Sequence, residues 1–245
     1  MIGLLSAEIG RAFRDRLAWL IAAAGVLFCG LGGSFIWRGK DISSTSNLEE
    51  LQLAGDTVGA AFTLFTLFCV PIGTLAVTND YSSKMIGRIR RTASIPVVMV
   101  SKSLSAGLFC AATNVLAIVA SMVAVLATLP SGQQFASNVP IWQMVCGSLL
   151  CSFLMTLFGC AIGFAIRAWL PAVLVAMAAV FGSFAMDGTE VGKYLCWGPL
   201  VSSFTLDPDQ PIRLPFWAAV LDLAGICLVV YVVAFVVLSL RKSVT

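Results

Sequence analysis

The stretch IWQMVCGSLLCSFLMTLFGCAIGFAI, from Ile141 to Ile166, contains no charged residue. A helix needs about 20 residues to cross the hydrocarbon core of a bilayer, because each residue adds about 1.5 Å along the axis. This run is long enough and predicts a membrane-spanning helix. Its apolar character is continuous rather than alternating, which excludes a strand of a membrane barrel.

The composition of the chain extends this prediction to five further runs. The 245 residues are 59% hydrophobic and 11% charged, with a mean hydropathy of +0.97, whereas soluble domains are about a quarter charged. We therefore predict an all-α integral membrane protein with a single domain over residues 1–245. The six predicted spans are residues 17–37, 57–78, 103–129, 141–166, 169–186 and 216–240.

The distribution of charge predicts the orientation of the spans. Lys and Arg favour the cytoplasmic loops of membrane proteins. If both termini are cytoplasmic, most of the fifteen Lys and Arg residues lie on the cytoplasmic side. Tryptophans lie near the predicted span ends, where the bilayer interface favours them. The sequence thus predicts a multi-pass protein with both termini in the cytoplasm.

Two segments outside the spans have patterns of their own. Residues 1–16 have apolar side chains at three- and four-residue spacing, which indicates an amphipathic helix on the membrane surface or a helical extension of the first span. Residues 194–206 are uncharged but too short to span, which is typical of a re-entrant or interfacial segment before the sixth span. The segment 47–54 predicts a short helix in the first outer loop.

Polar residues inside the predicted spans are few. Asn114 and Asp222 form a possible intramembrane polar site, since an acid within a span is a functional-site hypothesis. Alternatively, Asp222 lies near enough to the outer headgroups to reach them or to pair with Arg213. The GxxxG pattern from Gly159 to Gly163 permits close helix approach, and Pro71 is expected to bend the second span.

Several kinds of chemistry are missing from the sequence. The chain has no histidine and no CxxC pair, so we expect no metal site, and the eight cysteines are interpreted as packing residues. The nearest approach to a phosphate-binding loop, GTEVGKY, is one residue short and lacks the hydroxyl residue. We predict no catalytic residue, no cofactor bound by this chain and no nucleic-acid partner.

The sequence NDYSSKMIGRIRRTASIPVVMVSK, from Asn79 to Lys102, concentrates charge between two apolar runs. It holds five of the fifteen Lys and Arg residues and a single acid, Asp80. Asp80 and the serines after it supply side chains that cap helices. Lys84, Arg88 and Arg91 would share one face of such a helix. Alternatively, these cations only fix the topology and contact anionic headgroups, each worth about 1 kcal/mol.

This stretch resembles the segment after the second span in the permease subunits of type-two ABC exporters. The residues that carry the resemblance are Asp80, Tyr81, Ser83, Lys84, Met85, Ile86, Pro96 and Lys102. The Glu more usual at the acidic position and the Arg after the proline are absent. An N-terminal amphipathic helix, six spans and a re-entrant segment before the sixth span also follow the pattern. Small permeases of peptide-antibiotic export and immunity are the most similar in size.

The resemblance implies a function and a set of partners. Two permease chains, identical or homologous, would pair with two ABC ATPase subunits that bind ATP and Mg²⁺. The complex would lie among the lipids of a bacterial cytoplasmic membrane and export an amphipathic peptide, drug or lipid-like substrate. The segment after the second span would form a coupling helix that docks the ATPase. Its docking residues would be Asp80, Tyr81, Ser83, Lys84, Met85, Ile86, Arg88, Ile89 and Arg91.

Three other readings of the sequence remain open. An ATP-independent carrier or channel would use Asp222 for coupling or selectivity. A membrane enzyme acting on lipids would need a cluster of catalytic groups, which the sequence does not reveal. A membrane anchor that recruits an ATPase without transport would need only the charged segment.

Overall fold

Helices make up all the regular structure in the ranges that the structure describes. The computed structural model describes residues 2–38, 47–83, 94–128, 141–186, 189–202 and 214–240. The helices are α1 (Ile2–Ala12), α2 (Arg16–Arg38), α3 (Asn47–Ser82), α4 (Ile95–Thr128), α5 (Ile141–Ile166), α6 (Trp169–Phe184), α7 (Trp197–Ser202) and α8 (Phe216–Leu240). A 3₁₀ turn at Gly192–Tyr194 precedes α7. The predicted all-α class is confirmed for these ranges.

Four of the described helices are long and apolar enough to cross a membrane. They contain the segments Leu64–Ser82, Ile95–Ala124, Trp142–Ile166 and Phe216–Leu240. Two shorter apolar segments, Arg16–Leu31 and Trp169–Phe184, lie in α2 and α6, where two further spans are predicted. The architecture is compatible with a multi-pass membrane protein.

Helix α5 lies at the centre of the bundle and packs against α3, α4, α6 and α8. Its buried side chains include Cys151, Met155 and Phe164. A helix with neighbours on several sides has no polar face, because every side contacts an apolar surface. The uncharged sequence from Ile141 to Ile166 is what this central position requires.

The closest helix crossing joins α3 and α5. A Cβ at Gly159 would overlap the carbonyl oxygen of Val70, and a Cβ at Gly73 would overlap that of Thr156. A Cβ at Gly163 would lie 3.1 Å from the carbonyl oxygen of Thr74. The GxxxG pattern of α5 thus lies at this crossing, where glycine lets the two backbones approach.

Two helices begin at least eight residues before the predicted spans. α3 extends from Asn47 to Ser82 and continues through Pro71, so the short helix expected at residues 47–54 is its first part. α4 begins at Ile95, eight residues before the predicted third span. Pro96 lies in the first turn of α4, and a proline costs no hydrogen bond there. By contrast, α5 and α8 have the same bounds as the predicted spans.

Helices α6 and α8 present large apolar side chains to their surroundings. Leu170 and Leu174 on α6, and Leu221 and Leu228 on α8, are all at least 60% exposed. Soluble monomers rarely expose contiguous apolar surfaces of this kind. A bilayer supplies the apolar surroundings that such faces require.

We predict that Gly159→Ala destabilises the bundle by about 1–3 kcal/mol, because the added methyl group overpacks the α3–α5 crossing. The matched control is Gly225→Ala on α8, where no atom lies within 4 Å of the new Cβ. The control should be neutral or stabilising by up to about 1 kcal/mol, because alanine favours a helix more than glycine does. Unfolding in detergent, followed by tryptophan fluorescence, measures both. Equal stability of the two variants would contradict the close crossing.

Candidate functional site

Four ionisable side chains meet where α1 packs against the ends of α3 and α4. Glu8 and Arg11 come from α1, Asp80 from the last turn of α3 and Lys102 from the first part of α4. We call these four residues the ion cluster. The side chains of Asp80 and Lys102 are only 2% and 3% exposed, so their charges depend on one another rather than on solvent.

The ion cluster alternates acids and bases. Lys102 Nζ donates a hydrogen bond to Glu8 Oε2 at 2.8 Å and forms an ion pair with Asp80 Oδ2. Arg11 Nη2 lies 2.6 Å from Asp80 Oδ1. Asp80 thus contacts two cations, one from α1 and one from α4. The two acids and two bases balance in charge, which reduces the cost of burying them together.

The spacing of residues on α1 and the turn that follows it determine the position of α1. Glu8 and Arg11 are three residues apart, so both project from the same side of α1. The chain then turns at residues 13–15, and Asp15 Oδ1 accepts a hydrogen bond at 2.9 Å from the backbone N–H of Leu17, capping α2. α1 is therefore a separate helix rather than a straight extension of α2.

Aromatic packing completes the contact between this turn and α4. The ring of Phe109 on α4 lies edge-on to the rings of Phe13 and Trp19, with centroid distances of 5.3 and 5.2 Å. Trp19 Nε1 also donates a hydrogen bond to the carbonyl oxygen of Phe13 at 2.9 Å. The aromatic contact and the ion cluster thus both attach this N-terminal part of the chain to α4.

A small cavity adjoins the ion cluster between α1, α3 and α4. Its volume is about 40 Å³, and its polar lining includes all four cluster residues and Ser105. That volume suits about three water molecules. Among the described residues, Arg11 Nη1 and Asp80 Oδ2 are buried atoms without a hydrogen bond of standard geometry, although Asp80 Oδ2 is ion-paired with Lys102. Water in this cavity would supply the missing partners.

The predicted docking residues divide between described and undescribed parts of the chain. Lys84, Met85, Ile86, Arg88, Ile89 and Arg91 lie outside the described residues. Asp80, Tyr81 and Ser83 lie at the end of α3. Asp80 was interpreted as a cap for a following helix, but it lies within α3 and its carboxylate is bound by Arg11 and Lys102. Ser83 is exposed, and its backbone N–H donates to the carbonyl oxygen of Asn79.

Tyr81 contacts a residue to which the sequence analysis assigns no role. The guanidinium carbon of Arg167, between α5 and α6, lies 5.2 Å from the centroid of the Tyr81 ring. The end of α3 therefore has a charged contact through Asp80 and an aromatic contact through the next residue.

The two candidates for an intramembrane polar site lie in different surroundings. Asn114 on α4 is fully buried, and its Nδ2 donates to the hydroxyl oxygens of Ser148 and Ser152 on α5, at 2.8 and 3.2 Å. These hydrogen bonds join two helices. Asp222 on α8 is partly exposed, and its buried Oδ2 has no hydrogen-bond partner among the described residues. Its suggested partner Arg213 is outside the described ranges.

The segment between α6 and α8 packs back against α6. Trp197 donates its backbone N–H to Ser183 Oγ at 3.0 Å, and its ring lies 4.9 Å from that of Phe184. Leu200 in α7 is fully buried. Burial raises the pKa of the neighbouring Cys196 thiol to about 11, so this thiol is protonated and poorly reactive at neutral pH.

The sequence reasoning missed the ion cluster as a unit. It identified Asp80 and Lys102 but gave no role to Glu8 or Arg11. A signal was present: an acid and a base three residues apart on an amphipathic helix, and a lysine at the start of an apolar run. Each of these charged side chains is costly to bury alone, and together with Asp80 their charges balance.

Comparison with known proteins gives no assignment: no protein-family model matches this chain, and no curated protein matches it significantly.

We predict that Lys102→Met destabilises the protein by about 3–5 kcal/mol, because Glu8 then remains buried without its cation. The double variant Lys102→Met/Glu8→Gln should recover part of this loss, since Arg11 still neutralises Asp80. The control is Lys193→Met, which removes an ion pair with the exposed Glu190 and should leave the unfolding midpoint unchanged. Thermal unfolding in detergent measures all three. If Lys102→Met unfolds like the unaltered chain, the cluster does not hold α1.

Proposed function

We propose that this chain is the membrane-spanning permease subunit of an ATP-driven ABC exporter. One observation carries the proposal: the last turn of α3 is tied by Asp80 to α1 and α4, immediately before the basic segment of residues 84–93. A partner that binds this segment and moves it would also move three helices. An ATPase that changes shape during its cycle is a partner of this kind.

The charge of the basic segment supports binding to an acidic surface. Within the stretch from Asn79 to Lys102, Asp80 is the sole acid. Its carboxylate is already bound by Arg11 and Lys102 in the ion cluster. The segment therefore offers no carboxylate of its own to Lys84, Arg88 or Arg91. An acidic groove on an ATPase would supply the missing charge.

The proposed complex contains two permease chains and two ABC ATPase subunits, which bind ATP and Mg²⁺. Lys84, Arg88 and Arg91 would meet acidic residues, while Met85, Ile86 and Ile89 fill the apolar part of the groove. Asp80 and Tyr81 would act behind this interface by joining it to the bundle. The substrate would be an amphipathic peptide, drug or lipid-like molecule that leaves the cytoplasm or the inner leaflet.

The proposal requires six spans with both termini in the cytoplasm of a bacterial cell. α2 and α6 would be the two further spans, in addition to the four longer membrane-crossing helices. The ion cluster and residues 84–93 would then lie at the cytoplasmic surface, and the segment with α7 at the outer surface. The exposed Arg14 and Arg16 beside α1 agree with a position at anionic cytoplasmic headgroups.

Cysteine labelling tests the orientation. In a Cys146→Ser background, we expect a membrane-impermeant maleimide to label Val191→Cys in intact cells, because residue 191 is exposed on the outer segment. Ser83→Cys, which is also exposed, should react only after the cells are permeabilised. The buried Cys196, with its raised pKa, should contribute little background. Labelling of Ser83→Cys in intact cells would contradict the proposed topology.

Co-purification tests the docking. We expect an ATPase encoded beside this gene to co-purify with the chain, and Arg88→Glu/Arg91→Glu to reduce its recovery at least about tenfold, because like charges would face each other. The control, Arg88→Lys/Arg91→Lys, keeps both charges and should retain most of the ATPase. An intact complex with full ATP turnover in the Glu variant would overturn the docking assignment. Failure of any ATPase to bind the unaltered chain would overturn the function.

A further inference from the structure

Arg167 has an unusual backbone conformation at the joint between α5 and α6. Its φ angle is +64°, in the left-handed region that residues with a Cβ rarely adopt. The backbone N–H of Arg167 still donates to the carbonyl oxygen of Gly163 at 2.9 Å, at the end of α5. Glycine would meet the requirements of this turn with less strain. The backbone alone therefore gives no reason for an arginine.

The side chain of Arg167 supplies that reason. Its guanidinium lies over the ring of Tyr81 at 5.2 Å from the centroid, within the range of a cation–π contact. Its Nε is buried and has no hydrogen-bond partner among the described residues. Among the described residues, the Tyr81 ring is the contact that the structure shows for the guanidinium.

Tyr81 is well placed to transmit movement because it is itself packed. It contacts a group of buried apolar side chains contributed by α3, α4, α5 and α8, which includes Val77, Met99, Phe164 and Leu238. The preceding residue, Asp80, contacts α1 and α4 through the ion cluster. Two consecutive residues at the end of α3 therefore contact different sets of helices, which have α4 in common.

We propose that Arg167 is a positioning residue that transmits displacement of the last turn of α3 to α6. This inference rests on the proposed function, in which an ATPase moves the segment that follows α3. Asp80 would carry the same displacement to α1 by a separate route. Loss of the Arg167 side chain should therefore uncouple α6 from the ATPase while α1 remains coupled.

The test places an environment-sensitive bimane fluorophore at one of two exposed positions in the complete complex with the ATPase. Leu170→Cys reports on α6, and Ser6→Cys reports on α1; Leu170 is 60% exposed and Ser6 is also exposed. Both use the Cys146→Ser background, since the other seven cysteines are buried. The measured quantity is the change in fluorescence when ATP and Mg²⁺ are added.

Arg167→Gly is the test variant, because glycine keeps the left-handed turn and removes only the side chain. We expect it to bind the ATPase normally, to lose the ATP-dependent change at residue 170 and to keep the change at residue 6. Arg167→Lys retains a cation for the Tyr81 ring and should keep most of the change at both positions.

Other outcomes discriminate between the inference and the function on which it rests. If Arg167→Gly keeps the change at residue 170, or loses it at both positions, Arg167 does not act selectively on α6 and the inference is overturned. If neither reporter responds in the complex with Arg167 intact, ATP does not move these helices. That result would overturn the proposed function together with the inference.

Discussion

A buried carboxylate at the end of α3 determines how one end of the molecule is assembled. Asp80 is 2% exposed, and an isolated charge there would be strongly unfavourable. Arg11 from α1 and Lys102 from α4 both pair with this carboxylate. Glu8 then balances the second cation. The positions of α1 and of the first turns of α4 relative to α3 therefore follow from one charge.

The rest of the bundle depends on a different kind of contact. α3 and α5 approach closely because Gly73, Gly159 and Gly163 present no side chain at their crossing. Asn114 joins α4 to α5 by hydrogen bonds to two serines. These contacts rely on close packing and internal hydrogen bonds, as expected where apolar surroundings give helices little hydrophobic reason to associate. Three of the four ion pairs among the described residues lie at the end where α1 packs.

The sequence predicted the bounds of α5 and α8 well and those of α3 and α4 poorly. α5 and α8 begin and end where their apolar runs do, because polar or proline-containing segments flank them. α3 is longer than its apolar run. Hydropathy detects the part that a bilayer would cover, whereas the helix itself continues while backbone hydrogen bonds remain favourable. The same limit explains the early start of α4.

The candidate site could be predicted only in part. Asp80 and Lys102 were identified from their place in a local pattern. Glu8 pairs with Lys102 across 94 positions of the chain, and no periodicity in a single sequence encodes such a pairing. The contact of Arg167 with Tyr81 escaped detection for the same reason. Local patterns reveal which side chains are costly to bury without a partner, but tertiary packing determines which partners they find.

The two contacts at the end of α3 differ in strength, and the difference bears on the proposed exporter. Removing one partner from a buried ion pair costs about 3–5 kcal/mol, whereas a cation–π contact is worth about 0.5–2 kcal/mol. At the end of α3, α1 and α4 should therefore follow Asp80 closely, while the joint between α5 and α6 follows Tyr81 through a contact that breaks more readily. Such an arrangement allows the N-terminal helix to stay attached throughout a cycle in which α6 shifts, while the glycine crossing keeps α5 packed against α3.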